Sequence, residues 1–204
     1  PNYARGFRIS DIEEEDHTYG FLVVETDGPT TYHFRHVTAL KSGAFVDLGN
    51  KYDGNHKATK VPLEAMVLGD WHCGDTDPRV RETTFNMIAE LKPSRLVVHD
   101  FFNGHSITHW DHGKPLSRAI KAKQGMLSVE EEIKLASREL KEIADLIGPS
   151  TELLYVIGNH EEFLNRWIDS ERWIGDPYNA IECAELFAKI ARKEAQGDEA
   201  IAIE

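Results

Sequence analysis

Three short segments carry residue types that bind hard or borderline metal ions. They are Asp70 and His72 in Gly69-Asp70-Trp71-His72, Asp100 and Asn103 in Asp100-Phe101-Phe102-Asn103, and Asn159 and His160 in Gly158-Asn159-His160-Glu161. Carboxylate, imidazole and amide-oxygen donors suit Mn²⁺, Mg²⁺ or Fe²⁺ better than a thiolate-seeking metal. Asp100 has two carboxylate oxygens, so it can bridge two ions about 3.5–4 Å apart, the spacing of two-metal hydrolases. Such a pair would bind and deprotonate a water for in-line attack on phosphorus, while His160, beside the ligand Asn159, protonates the departing oxygen. Taken singly, Asp70, Asp100 and Asn159 are ordinary turn residues at strand ends. Their joint occurrence is what points to phosphoester hydrolysis.

Each segment follows a short apolar run: Leu63–Leu68, Arg95–Val98 and Leu153–Ile157. Such runs fit buried strands of a parallel sheet. Between the first two, Pro78–Leu91 has Val80, Phe85, Ile88 and Leu91 at roughly the spacing of one helix face, with Asp77-Pro78 as N-cap and first helical position. Between the second and third, Ser128–Ile147 opens on a capping box, Ser128 with Glu131, and stops at Gly148-Pro149. Ile133, Leu140, Ile143, Ala144 and Ile147 recur at helical spacing, so this helix is expected to cover the sheet. Side-by-side parallel strands gather the segments that follow them along one carboxyl edge, where open α/β folds place their ligands.

In order and approximate spacing, Asp-x-His, Asp-x-x-Asn and Gly-Asn-His-Glu resemble the calcineurin-like metallophosphoesterase superfamily over about residues 61–172. The resemblance implies an α/β fold, a layered sheet with flanking helices, and two divalent ions, Mn²⁺ foremost. By the same resemblance Asp70 and His72 hold one ion, Asp100 bridges, Asn159 holds the second, and His160 assists the leaving group. His99 stands where the family usually has glycine, and can reshape the turn or add a ligand. Asn103, a catalytic candidate together with His160, stands where phosphatases of the family carry Asp and nucleases of the SbcD type carry His. An amide there cannot raise the basicity of His160 as a carboxylate would. The family completes its site with a later His and a terminal Gly-His-x-His, whereas no histidine follows His160. With Pro1 at the start and Ala200-Ile201-Ala202-Ile203-Glu204 at the end, residues 61–204 are expected to be part of a catalytic domain in a longer polypeptide.

Residues 1–60 read as a separate β-rich module. Tyr19–Thr26, the turn Asp27-Gly28 and Thr31–Val37 suggest a hairpin, and Ala44–Leu48 a further strand. The polar stretch Gly49–Lys60 reads as a linker, and His33, His36 and His56 as surface or strand histidines rather than ligands. After His160, residues 161–173 and 178–195 have helical periodicity, with Phe163, Trp167, Ile181, Leu186 and Ile190 expected in the core.

The loop Gly104–His112 is rich in histidine and contains Trp110. His105, His109 and Trp110 are candidates to touch substrate phosphates or stack a base. Lys114, Arg118, Lys121 and Lys123 either guide a phosphodiester backbone, with Arg118 and Lys121 as its contacts, or form a solvated helix face. A formal charge of −12 opposes non-specific attraction to DNA but not metal-mediated phosphate binding. The leading expectation is a DNA-cleaving phosphodiesterase, similar to SbcD-type nucleases and to phage-encoded DNases that destroy host DNA. A small-molecule phosphodiesterase or phosphatase and a non-catalytic scaffold of the same fold are the alternatives. Two cysteines, Cys73 and Cys183, give no disulfide framework and favour a reducing compartment, hence the cytoplasm, or a host cytoplasm for a phage protein. Cys73 is expected to be structural rather than a metal ligand. No run reaches membrane-spanning length, no phosphate-binding Gly-rich motif of nucleotide-driven motors is present, and a homo-oligomer is left open.

Overall fold

The computed structural model describes residues 17–54 and 57–195. Two compact units divide the chain, Pro1–Pro62 and Leu63–Glu204. In the first, β1 (Gly20–Asp27) and β2 (Thr31–Thr38) form an antiparallel hairpin in register from Gly20↔Thr38 to Asp27↔Thr31. A second antiparallel sheet contains β3 (Phe45–Asp47), β4 (Asn50–Tyr52) and β5 (Thr59–Lys60). The stretch from Gly49 is therefore not simply a linker. Leu48 and Gly49 both take left-handed φ values, 45° and 71°, as a two-residue hairpin turn of the primed kind requires, and Asp47 pairs with Asn50 across it. The strands that follow are polar, so no hydrophobic alternation announced them. The Arg35 guanidinium donates to Glu25 across the hairpin and to Asp47 on β3, holding the two sheets together. His33 and His36 are exposed on β2, and His56 lies outside the described residues.

The second unit is built on β6 (Ala65–Val67), β7 (Arg95–His99) and β8 (Glu152–Val156), a parallel sheet in that order. Its helices are α1 (Pro78–Leu91), α2 (Pro115–Lys123), α3 (Val129–Ile147), α4 (Glu161–Ile168) and α5 (Ala180–Ala195). The architecture is mixed α/β, with small antiparallel sheets, one parallel sheet and these five helices among the described residues. The caps act where the sequence places them: Asp77 accepts from the Arg79 N–H, and Ser128 from the Glu131 N–H. The segment carrying Lys114–Lys123 forms α2.

Because the strands follow one another across the sheet without reversal, crossovers of the usual right-handed sense bring α1 and α3 to the same face. There Phe85 and Ile88 of α1 and Ala136, Leu140 and Ile143 of α3 pack on Met66, Leu96, Val98 and Tyr155. The opposite face, with Val67, Leu154 and Val156, is exposed, so these strands are not buried on both sides as their apolar runs predict. Val80 lies five residues before Phe85, about 140° round the helix, and is exposed. Leu91, at the helix end, and Ala144 are exposed as well.

A second cluster joins Phe102 and Ile107 of the loop after β7 to Val129, Leu164, Trp167, Cys183 and Leu186, with Phe163 and Ile190 partly buried at its border. Ile181, expected in this core, is 80% exposed, because it sits two residues from Cys183 and so on the far side of α5. Buried Asn179 braces the cluster, accepting from the Val129 N–H and donating to the Leu127 carbonyl. No helix among the described residues is long and apolar enough to cross a membrane.

The two isoleucines separate burial from periodicity. Ile143→Ala is expected to lower unfolding free energy by about 2–5 kcal/mol, and Ile181→Ala by less than about 0.5 kcal/mol, measured by urea denaturation.

Candidate metal centre

The candidate residues lie at the carboxyl edge of the parallel sheet. Past the strand ends the pairing of β6 with β7 continues through the loops: the N–H groups of Trp71, His72 and Cys73 donate to the carbonyls of His99, Asp100 and Phe101. This ladder fixes the loop carrying Asp70 and His72 against the loop carrying Asp100. His72 and Asp100 both have left-handed φ, 46° and 43°, which is unfavourable for residues with a β-carbon. The surrounding hydrogen bonds hold them there.

The third loop is tied in through Glu161. Its side chain is buried, and one carboxylate oxygen accepts from the Phe101 N–H (2.7 Å), the Phe102 N–H (3.1 Å) and the Tyr155 hydroxyl (2.7 Å). The other accepts from the Gly158 N–H at 2.8 Å. Burial, reinforced by the Glu161 carboxylate, pushes the Tyr155 hydroxyl above its ordinary pKa and keeps it a donor. A β-carbon at Gly158 would run into the Asp100 carboxylate, so any other residue there has to displace that side chain. Asn159 is exposed between Gly158 and His160, whose N–H donates to Asp100 Oδ1 at 3.2 Å.

Asp70, His99 and Asp100 each present a donor atom, all within 4.8 Å of one another. His99 Nδ1 is 3.4 Å from Asp70 Oδ1 and 3.4 Å from Asp100 Oδ2. These separations are long for hydrogen bonds. They do match two donors on one ion, since bonds of about 2.1 Å at an angle of about 105° put donors roughly 3.4 Å apart. His72 Nε2 is 4.0 Å from Asp70 Oδ2, and its buried Nδ1 has no hydrogen-bond partner. The donor set therefore fits a hard or borderline cation. Cys73 is buried in the core, and that burial raises its thiol pKa well above the usual value.

The His160 ring packs against His72, with centroids 4.3 Å apart, and its Nδ1 lies 2.7 Å from the main-chain oxygen of Asn103. A carbonyl only accepts, so Nδ1 carries the proton and Nε2 is left for proton transfer. Asn103 thus touches His160 through its backbone, while its amide donates to Asp75 Oδ2 at 2.8 Å. His105 Nε2 meets the same Asp75 oxygen at 2.8 Å, and the His105 N–H donates to Glu132. His109 and Trp110 are exposed, their rings 4.4 Å apart. Arg118 is paired with buried Asp176 at 3.3 Å. Lys121 is paired with Asp111 and donates to the His105 carbonyl at 3.0 Å, so it braces the loop that precedes α2, whereas Arg118 ties α2 to the segment before α5.

The chain matches no protein-family model, no curated protein and no solved structure. Its site is read from its own residues. The sequence gives Glu161 and Asp75 no site role, whereas His99 stands in it as a residue able to reshape the turn or add a ligand. Glu161 was visible as the last residue of Gly-Asn-His-Glu, and His99 as the residue before Asp100, whereas Asp75 had no distinguishing signal.

Two outcomes follow from these ties. Glu161→Gln keeps the volume but turns an acceptor into a donor, and is expected to lower stability by about 1–3 kcal/mol in denaturant unfolding, with Glu161→Ala lower still. For Asp75, burial works upward, but hydrogen bonds from Asn103 and His105 outweigh it and hold the carboxyl below its ordinary value of 3.8. Its contribution to stability is complete above that value and is lost as pH falls through the lower folded one. Acid unfolding of Asp75→Asn, compared with the parent, should lack that component.

Proposed function

We propose that the chain is a metal-dependent phosphodiesterase of the calcineurin-like metallophosphoesterase type, acting on DNA. The observation that carries the reading is the convergence of Asp70, His99 and Asp100 at the sheet's carboxyl edge, with His72 and His160 packed beside them. Asp70, His72, His99, Asp100 and Asn159 are the residues to hold divalent ions, two of them, with Mn²⁺ foremost. When bound, such ions supply positive charge for the phosphoryl oxygens and an activated water.

The protein's own groups supply the rest. The Asn103 carbonyl fixes the tautomer of His160, so that Nε2 can hold a proton and deliver it to the departing oxygen. The Glu161 tie keeps Asp100 and His160 together while charge develops. Trp110 and His109 offer exposed ring faces to a base. The acidity of the chain favours an alternative, a small phosphodiester as substrate, because a −12 surface repels polyanions.

Linear and circular DNA incubated with Mn²⁺ test the reading. Cleavage of both is expected, abolished by EDTA and by Asp100→Ala, and slowed about 10²–10⁴-fold by His160→Ala. Hydrolysis of bis(p-nitrophenyl) phosphate alone would move the assignment to a small-molecule phosphodiesterase. Hydrolysis of neither would leave a scaffold.

A further inference from the structure

A line of rings leads away from His160. Its ring lies 4.7 Å from that of Phe163, Phe163 lies 5.5 Å from His109, and His109 lies 4.4 Å from Trp110, tilted by 35°, with Trp110 67% exposed. The line rests on a fixed base. Gly104, at φ 72°, sits so close to the rings of Phe102 and Phe163 that a β-carbon there would press on both, at 3.2 and 3.1 Å. Phe163 itself packs on the second hydrophobic cluster.

Beside these rings opens a cavity of about 240 Å³ walled by Ile107, His109, Phe163, Arg166 and Arg172. Ile107 and Arg172 also line a second cavity of about 370 Å³, so the two cavities share part of their walls. Three guanidinium groups border the two cavities, and they are not equivalent. Arg118 is paired with Asp176, and Arg166 with Glu162. Arg172 donates through Nε to the Ser170 hydroxyl at 3.0 Å, and among the described residues no carboxylate lies within ion-pair distance of it. Arg172 thus brings a positive charge with no acidic partner to a cavity that is also walled by the rings of His109 and Phe163. A guanidinium fork matches a phosphate, and an aromatic face matches a base. Glu171 and Asp176 border only the larger cavity and disfavour an anion there, which sets the phosphate in the smaller one, a groove with Arg166 and Arg172 in its wall.

We propose that this groove is a nucleotide subsite on the leaving-group side of the scissile phosphate, with the base against Phe163 and His109 and the neighbouring phosphate on Arg172. The inference rests on the phosphodiesterase reading and specifies its substrate: a nucleic-acid strand with at least one base free to leave its stack. The geometry assigns this side because the ring line begins at His160, the group that protonates the departing oxygen.

The test separates binding from chemistry. Fluorescence anisotropy of a labelled single-stranded oligothymidylate in EDTA reads the groove without metal, on the full chain and on Arg172→Ala and Arg172→Lys. Arg172→Ala is expected to weaken binding about tenfold, and Arg172→Lys to recover part of the loss. With Mn²⁺, Arg172→Ala should raise KM for the oligonucleotide and leave hydrolysis of bis(p-nitrophenyl) phosphate within about twofold, because that substrate has no second nucleotide to place. Equal oligonucleotide affinity for parent and Arg172→Ala, no binding by the parent, or equal loss on both substrates would overturn the subsite. Failure of the parent to hydrolyse either substrate would instead sink the phosphodiesterase reading, and the anisotropy result would still decide the groove.

Discussion

The candidate site depends on one buried carboxylate. Glu161 is 2% exposed, and its two oxygens collect hydrogen bonds from the backbone after β7, from the backbone after β8 and from a side chain on β8 itself. Ionised groups are expensive to bury unless fully hydrogen-bonded. Here the cost is offset by donors that would otherwise be buried and unsatisfied, since a tightly turning segment just past a strand has no ladder partner for them. Charge-assisted bonds of this kind are stronger than neutral ones, and they converge on one residue. Asp100, between the ladder and Glu161, has little freedom to choose its backbone conformation.

That constraint accounts for the strained residues. His72 and Asp100 face each other across the continued ladder, the His72 N–H donating to the Asp100 carbonyl at 2.9 Å, and both are left-handed. Left to itself, either would relax to a common backbone region. Held together, they turn their side chains to the same edge, where His99 and Asp70 meet Asp100 and where His160 stands over His72. The line of rings beginning at Phe163 follows from the same anchoring, because α4 starts at Glu161 and Phe163 is on its first turn.

Much of this was legible in the residues. Asp77-Pro78 and Ser128 with Glu131 mark helix starts, because capping is a local exchange of side-chain for backbone hydrogen bonds and needs no tertiary context. The strands before the three motifs were visible as apolar runs. What escaped depended on partners distant in sequence. An apolar run does not reveal which of its faces is covered; that is set by the strand order and crossover sense, so Val67 and Val156 emerge exposed. Helical spacing is likewise silent on which stripe is buried, hence Val80 and Ile181. The strands following Gly49 are held by backbone pairing rather than by hydrophobic alternation. Asp75 acquires its place only when Asn103 and His105, some thirty residues away, arrive beside it. Arg118 and Lys121 looked like free cations because Asp176 and Asp111 are paired with them only in three dimensions.

The ladder between β6 and β7 does not stop where the strands do, and this sets the time scale on which the site can move. Loops at strand ends ordinarily open by themselves, at small free-energy cost and independently of the core. The amides of His72 and Cys73 are instead bonded to the segment after β7, over core residues Trp71, Phe101 and Leu96, so they belong to the sheet's own cooperative unit. Releasing Asp70 and His72 from Asp100 means fraying the edge of the sheet. The groups gathered there are held by the sheet itself rather than by loops free to open on their own.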